Sequence, residues 1–144
     1  MTNLNYRYIL ERGFYRPKIP ILISVGGHQT EVMGLIDSGS DFVLFPKDIA
    51  EAVGINLTGK EEEADGIGGR VKCKSGLATL TLRRGSITKR LRNMRIHVLM
   101  DDRSGIDEIL LGRNNFFKHF KIEFNENAKH VKLIPTRSPL KTNR

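Results

Sequence analysis

Hydrophobic and polar residues alternate with a period of two in several segments of the chain, a pattern typical of β-strands with one buried face. The first series covers residues 19–25, and a glycine turn at 26–27 leads into a second series that ends at Ile36. Further series cover residues 77–81, 96–100, 121–124 and 130–134, and the apolar run at 109–111 predicts another buried strand. Many short strands separated by turns predict an all-β protein, built as a small closed β-barrel.

One or two short helices interrupt the strands. Pro46 suits a helix start, Ile49, Ala50 and Val53 follow at helical spacing, and Gly54 is a typical stop. A short apolar run at 42–45 predicts a buried strand before this helix, and residues 113–117 are a candidate second helix.

The chain has 144 residues, which predicts one domain. We expect a domain over residues 17–135, an irregular N-terminal arm over 1–16 and a flexible basic tail over 136–144. The strand at 130–134 is expected to leave an unpaired edge that a partner chain could cover.

The net charge of +8 raises the question of a nucleic-acid partner, and the densest basic stretch is 82–95. Apolar residues interleave with the charges there, as on a hairpin with one wet face, and the stretch contains no aromatic residue for stacking on bases. We therefore favour a solvated face over a nucleic-acid site. The chain shows no signal segment and no apolar run of about 18 residues, which predicts a cytoplasmic or otherwise intracellular protein outside the membrane.

Metal and cysteine chemistry find little support in the sequence. Cys73 is the single cysteine, so an internal disulfide and a multi-cysteine zinc site are excluded. The four histidines, at 28, 97, 119 and 130, show no ligand spacing. We expect no metal and no cofactor, and we assign these side chains no role.

A carboxylate follows the second strand in Leu35-Ile36-Asp37-Ser38-Gly39-Ser40. Because burial disfavours an ionised carboxylate, an aspartate at the end of a buried strand is either satisfied by neighbouring groups or kept for function. Asp-Ser-Gly is also an ordinary turn, so the tripeptide alone is weak evidence.

Three segments together resemble the retropepsin-like aspartic proteases, the single-domain relatives of pepsin. Residues 35–41 look like the catalytic signature with a second aspartate, residues 66–69 like the glycine-rich flap tip, and residues 109–114 like the Gly-Arg-Asn segment that ends the core. The resemblance covers roughly residues 17–135. Serine stands at 38 where many viral enzymes have threonine, and at 40 where they usually have alanine.

The resemblance implies an aspartic endopeptidase that hydrolyses polypeptides with Asp37 as the catalytic residue. Ser38, Gly39 and Ser40 would support the active-site loop. Gly66, Ile67, Gly68 and Gly69 would form the substrate-binding flap. Asp41 and Arg113 would form a bidentate ion pair beneath the site.

One chain holds one Asp-Ser-Gly segment, while the reaction needs two carboxylates, which implies a homodimer. Two other functions stay open: a non-catalytic peptide-binding or dimerisation module on the same fold, and a basic nucleic-acid-binding β-barrel.

Overall fold

The computed structural model of the chain describes residues 3–66, 69–101 and 106–136, with the backbone alone at 64–66 and 69. Within these residues the chain forms twelve strands, one α-helix and a 3₁₀ turn. The strands are β1 Leu4–Arg7, β2 Ile9–Glu11, β3 Phe14–Arg16, β4 Lys18–Val25, β5 His28–Ile36, β6 Leu44–Pro46, β7 Glu62–Gly66, β8 Gly69–Arg84, β9 Ile87–Leu99, β10 Ile109–Leu111, β11 Phe120–Asn125 and β12 His130–Pro135.

Six of these strands close into a barrel, as the alternating pattern predicts. Their order is β4-β5-β10-β6-β9-β8, and pairing of β4 with β8 closes the ring, while β7 extends the sheet beyond β8. Most neighbours are antiparallel, but β5 runs parallel to β10 and β6 runs parallel to β9. The all-β class and the small closed barrel are confirmed.

The barrel interior is filled by the apolar face of each strand. Ile19, Ile21 and Ile23 of β4 are buried while their neighbours along the strand are partly exposed, as a period of two requires. Phe45 and Phe116 are the largest fully buried side chains. Burial of apolar area at roughly 25 cal/mol per Å² is the main force that holds such a core together.

The N-terminal arm is regular where it was expected to be irregular. Strand β1 pairs with β12, and β2 forms a hairpin with β3. Leu4, Tyr6 and Tyr8 are buried in the core, so the arm contributes packing as well as hydrogen bonds. Strand β1 has only four residues, so its alternation of buried and exposed positions is too short to identify a strand from the sequence. The boundaries at 17 and 136 stay predictions, and residues 137–144 lie outside the described part.

The expected free edge of β12 is also corrected by the sheet order. β12 is the middle strand of a three-stranded sheet and pairs with β1 on one side and β11 on the other. The outer strands of this sheet are β1 and β11. The missed strand β1 accounts for the error, because it occupies the edge that seemed to need a partner chain.

The helix α1 spans Lys47–Val53 between the residues that the sequence marks as its limits. Pro46 precedes it, and Gly54 follows with φ of 82° and donates its N–H to carbonyls of the last turn. The second helix is shorter and later than predicted: residues 113–116 form turns, and a 3₁₀ turn covers Phe117–His119. The strand predicted at 42–45 begins at Leu44. No helix in the described part of the chain is long and apolar enough to cross a membrane.

Candidate active site

Asp37 lies directly after β5, where the parallel strand β10 holds the backbone. Its N–H donates to the carbonyl of Leu111 at 3.1 Å, which continues the ladder between the two strands by one residue. The chain then turns: the N–H of Gly39 donates to Oδ1 of Asp37 at 2.9 Å, and the N–H of Ser40 donates to its carbonyl at 3.2 Å. The half-buried carboxylate is therefore oriented by its own turn.

Gly112 lets the loop after Asp37 pack directly on the end of β10. A Cβ atom at this position would lie 2.1 Å from the carbonyl oxygen of Phe42 and 2.6 Å from that of Ser40, so a side chain does not fit. The next residues bond to the same loop, with the N–H of Arg113 donating to Ser40 and that of Asn114 to Asp41, at 2.9 and 2.7 Å. The two predicted motifs at 35–41 and 109–114 thus form one interlocked unit.

Ser38 and Ser40 face different surroundings within this loop. Ser40 is buried, and its hydroxyl donates to the carbonyl of Phe42 at 2.8 Å. Ser38 is exposed, and its hydroxyl has no hydrogen-bonding partner among the described residues. Ser40 therefore stabilises the turn within the chain, whereas Ser38 offers its hydroxyl outward.

Asp41 and Arg113 form the predicted ion pair, but the pair is exposed. An Nη2–Oδ1 contact joins them, and the side chains remain 61% and 60% exposed respectively. The expectation of a bidentate pair beneath the site is wrong in this respect, because the structure has a single contact on the surface. Such pairs contribute about 0–1 kcal/mol, far below the cost of breaking a buried pair.

A cleft of about 370 Å³ opens beside Asp37. Leu44, Leu99 and Leu110 give it apolar walls, and Glu62 and Glu63 of β7 lie at its border. The lining thus combines carboxylates with apolar surface.

Three residues that the sequence analysis did not assign to a site also line this cleft: Phe42, Cys73 and His97. The His97 ring stacks on Phe42 with centroids 4.3 Å apart, and its Nδ1 is buried with no partner among the described atoms. Burial lowers the pKa of His97, and burial followed by the charge of Glu62 raises the pKa of the Cys73 thiol. No pattern in the sequence identifies His97 as part of the cleft, because its place opposite Leu44 follows from the pairing of β6 with β9.

The glycines assigned to the flap are described in part. β7 and β8 pair antiparallel up to Gly66 opposite Gly69, while Ile67 and Gly68 lie outside the described residues. The ladder starts at Glu62 opposite Cys73, so its base borders the cleft. Within the described part of the chain, histidine, cysteine and acidic side chains form no cluster of three or more that could hold a metal ion.

A six-stranded barrel with an Asp-Ser-Gly loop packed on a Gly-Arg-Asn segment defines the fold of the retropepsin-like aspartic proteases. The sequence model of the aspartyl protease family matches residues 21–115, and the chain belongs to that family. A solved retropepsin-like aspartic protease from Rickettsia conorii shares the fold, with a TM-score of 0.56 and 15% identity over 91% of each chain.

The EIAV protease in complex with an inhibitor is a second similar structure. It has a TM-score of 0.49 and 20% identity, over 74% of this chain and 89% of that one. A search of curated proteins found no significant match.

Proposed function

We propose that the protein is an aspartic endopeptidase that acts as a homodimer, with Asp37 of each copy activating one water molecule. The observation that carries the proposal is the placement of the Asp37 carboxylate. It lies at the cleft, accepts one bond from Gly39 and forms no ion pair among the described residues. Its second oxygen is therefore available for a water or for a second carboxylate.

The chemistry follows from bringing two such carboxylates together. Two aspartates about 3 Å apart cannot both ionise, so they share one proton, as in pepsin and the HIV protease, which are the standard examples. The ionised Asp37 takes a proton from the water, and the protonated one donates to the carbonyl oxygen of the scissile peptide bond. Water attack on the carbonyl carbon then gives a tetrahedral diol. The aspartate that took the water proton donates it to the nitrogen, the other aspartate takes a proton from the diol, and the C–N bond breaks to give an acid and an amine.

The second carboxylate has to come from another copy, because the sequence contains one Asp-Ser-Gly segment. A two-fold axis would pass between the two copies of Asp37, each half-exposed in the single chain. In that arrangement the outward hydroxyl of Ser38 would bond across the axis. Gly39 would permit close approach of the substrate backbone, since its missing side chain leaves the loop surface flat.

The flap would close over a substrate held in the cleft. The β7–β8 ladder reaches out from Glu62 and Cys73 at the cleft to Gly66 and Gly69 at its far end. Glycines there allow backbone motion, and closure excludes water from the reacting carboxylates.

The test of catalysis is cleavage of an unstructured protein by the parent and by Asp37→Asn. The variant keeps the size of the side chain but cannot ionise, so we expect cleavage to disappear while the circular dichroism spectrum stays unchanged. Pepstatin, which mimics the tetrahedral intermediate, should inhibit the parent. Full activity of Asp37→Asn would contradict the proposal, and a folded, inactive parent would favour the binding-module alternative.

The shared active site of the homodimer can be tested by mixing parent chains with inactive variant chains. Adding excess Asp37→Asn chains to a fixed amount of parent should lower activity, because mixed dimers contain one ionisable aspartate. Asp48→Asn is the matched control, since it removes a carboxylate from the exposed first turn of α1 but keeps Asp37, so the same excess of these chains should raise activity. Parent activity that excess Asp37→Asn chains leave unchanged, with a single-chain mass in light scattering, would rule out the shared site.

A further inference from the structure

The excess positive charge of the protein is concentrated in one part of the chain. Residues 71–100, in β8 and β9, contain eight lysines and arginines and no acidic residue. The whole chain has 24 basic and 16 acidic residues, so the remaining residues contain 16 of each and are neutral in sum. The net charge of +8 therefore belongs entirely to this segment.

Four of these cations lie on one outward face of the β8–β9 hairpin, which we call the arginine face: Arg83, Arg90, Arg92 and Arg95. Thr81 lies opposite Arg90 and Leu77 opposite Arg95, and residues directly opposite share a face of the sheet. All four arginines are exposed.

A β-bulge keeps Arg95 on this face. Between the pairs Ala78–Met94 and Leu80–Leu91 the strand β9 contains one extra residue, and Asn93 there has φ of 53°. Without the extra residue, Arg95 would point to the opposite side from Arg92. The bulge thus extends the row of guanidinium groups along β9, with steps of roughly 7 Å for alternate residues.

The arginine face has no counter-charge among the side chains that the structure describes. None of its four guanidinium groups forms an ion pair with a carboxylate in the described part of the chain. Elsewhere cations are paired, as in the network where Arg16 and Lys18 bond to Glu11 and Glu108. A row of four like charges without partners repels itself, and an external polyanion would relieve that repulsion.

We propose that the arginine face binds duplex nucleic acid through its phosphate backbone. All four cations of this face are arginines, and the planar guanidinium group can donate two parallel hydrogen bonds to phosphate oxygens. The face lacks an aromatic residue for stacking, which single-strand binding uses, whereas phosphate contacts alone suffice for non-specific duplex binding. An anionic membrane suits the face less well, since Leu77 is the one large exposed apolar side chain in β8 and β9.

The arginine face starts next to the cleft and extends away from it. Arg95 lies two residues from His97, which lines the cleft, and its charge acts on that ring, whereas Arg90 lies about 20 Å along β9 from His97. Phosphate contacts at Arg83, Arg90 and Arg92 therefore do not involve Asp37, and they would hold the protein on nucleic acid with the cleft open.

Fluorescence anisotropy with a labelled 20-base-pair DNA duplex tests the proposal over a series of salt concentrations. We expect a dissociation constant of about 10⁻⁴–10⁻⁶ M at physiological salt for a contact of this kind. In the variant Arg90→Gln/Arg92→Gln, the slope of log affinity against log salt should become shallower by about two, one unit for each lost phosphate contact.

The matched control is Lys121→Gln/Lys132→Gln, which removes the same charge from the three-stranded sheet, where both lysines contact Glu123. It should keep the parent slope, and Asp37→Asn should bind as the parent does even if the proposed catalysis fails. Equal loss in both double variants would show an effect of net charge alone and overturn the proposal. Arginine-dependent binding to vesicles with 30% anionic lipid, without duplex binding, would also overturn it.

Discussion

Replacing Gly112 with alanine would place a methyl carbon where the structure has no room. The Cβ atom would lie 2.1 Å from the carbonyl oxygen of Phe42 and 2.6 Å from that of Ser40, and both contacts are to backbone. A backbone cannot rotate away as a side chain can, so the loop that follows Asp37 has to move off β10.

The cost of Gly112→Ala combines two effects. Overpacking of a close contact costs about 1–3 kcal/mol. Movement of the loop also weakens the bonds from Arg113 N–H to Ser40 and from Asn114 N–H to Asp41, which contribute about 0.5–1.5 kcal/mol each. We expect a loss of roughly 2–6 kcal/mol in the free energy of unfolding, which lowers Tm by roughly 6 °C or more.

Thermal and urea unfolding, measured at one protein concentration, check this magnitude, and peptidase assays check whether Asp37 is displaced. Gly54→Ala is the control: this glycine has φ of 82° but open space around its Cβ, so it should lose about 1–2 kcal/mol from backbone strain alone. If Gly112→Ala is as stable and as active as Gly54→Ala, then the close packing of the two motifs does not hold the site together.

Three further predictions concern charged groups. Because the Asp41–Arg113 pair is exposed, Arg113→Ala should change the unfolding free energy by at most about 1 kcal/mol; a larger loss would mean that the pair is desolvated in the assembled protein. Burial would raise the pKa of Glu108, but the hydrogen bonds from Arg16 and Lys18 outweigh burial and lower that pKa. The stability that these bonds provide is therefore present above a pH of about 4.3 and is lost on acidification. Arg16→Met should therefore destabilise more at pH 7 than at pH 3, and equal losses in urea titrations would refute this. Burial lowers the pKa of His97, so protonation opposes folding once the pH falls below about 6.5; His97→Gln should flatten the decline in stability from pH 7 to pH 5, and an unchanged decline would assign it to other groups.

The barrel could be predicted from the sequence because its longer strands show their period, while its short strands β6 and β10 lie in continuous apolar runs. In β4 the residues Ile19, Ile21 and Ile23 repeat the buried position three times. In β1, Leu4 and Tyr6 repeat it only twice, and a strand of four residues does not separate alternation from chance. The prediction that β12 has a free edge was therefore wrong as well, because it depended on recognising β1 as a strand.

The part of the site that could be predicted consists of residues that are close together in the sequence. Asp37 and Gly112 belong to motifs whose residues are close in sequence, and the structure places the two motifs in contact. Phe42, Cys73 and His97 come from three separate segments, and only the sheet order brings them to the same cleft. The exposure of the Asp41–Arg113 pair depends on the solvent around it, which residue identity does not encode.

The pairing of β1 with β12 also affects the order in which the protein acquires its structure. Leu4 lies opposite Leu133, so this contact closes a loop that contains the whole barrel. During synthesis the barrel strands, from Lys18 to Leu111, are complete before β12 exists, and a contact of such long range forms slowly. Until β12 arrives, Leu4 and Tyr6 lack the strand that pairs with them, and the growing chain exposes an apolar surface that is prone to aggregation.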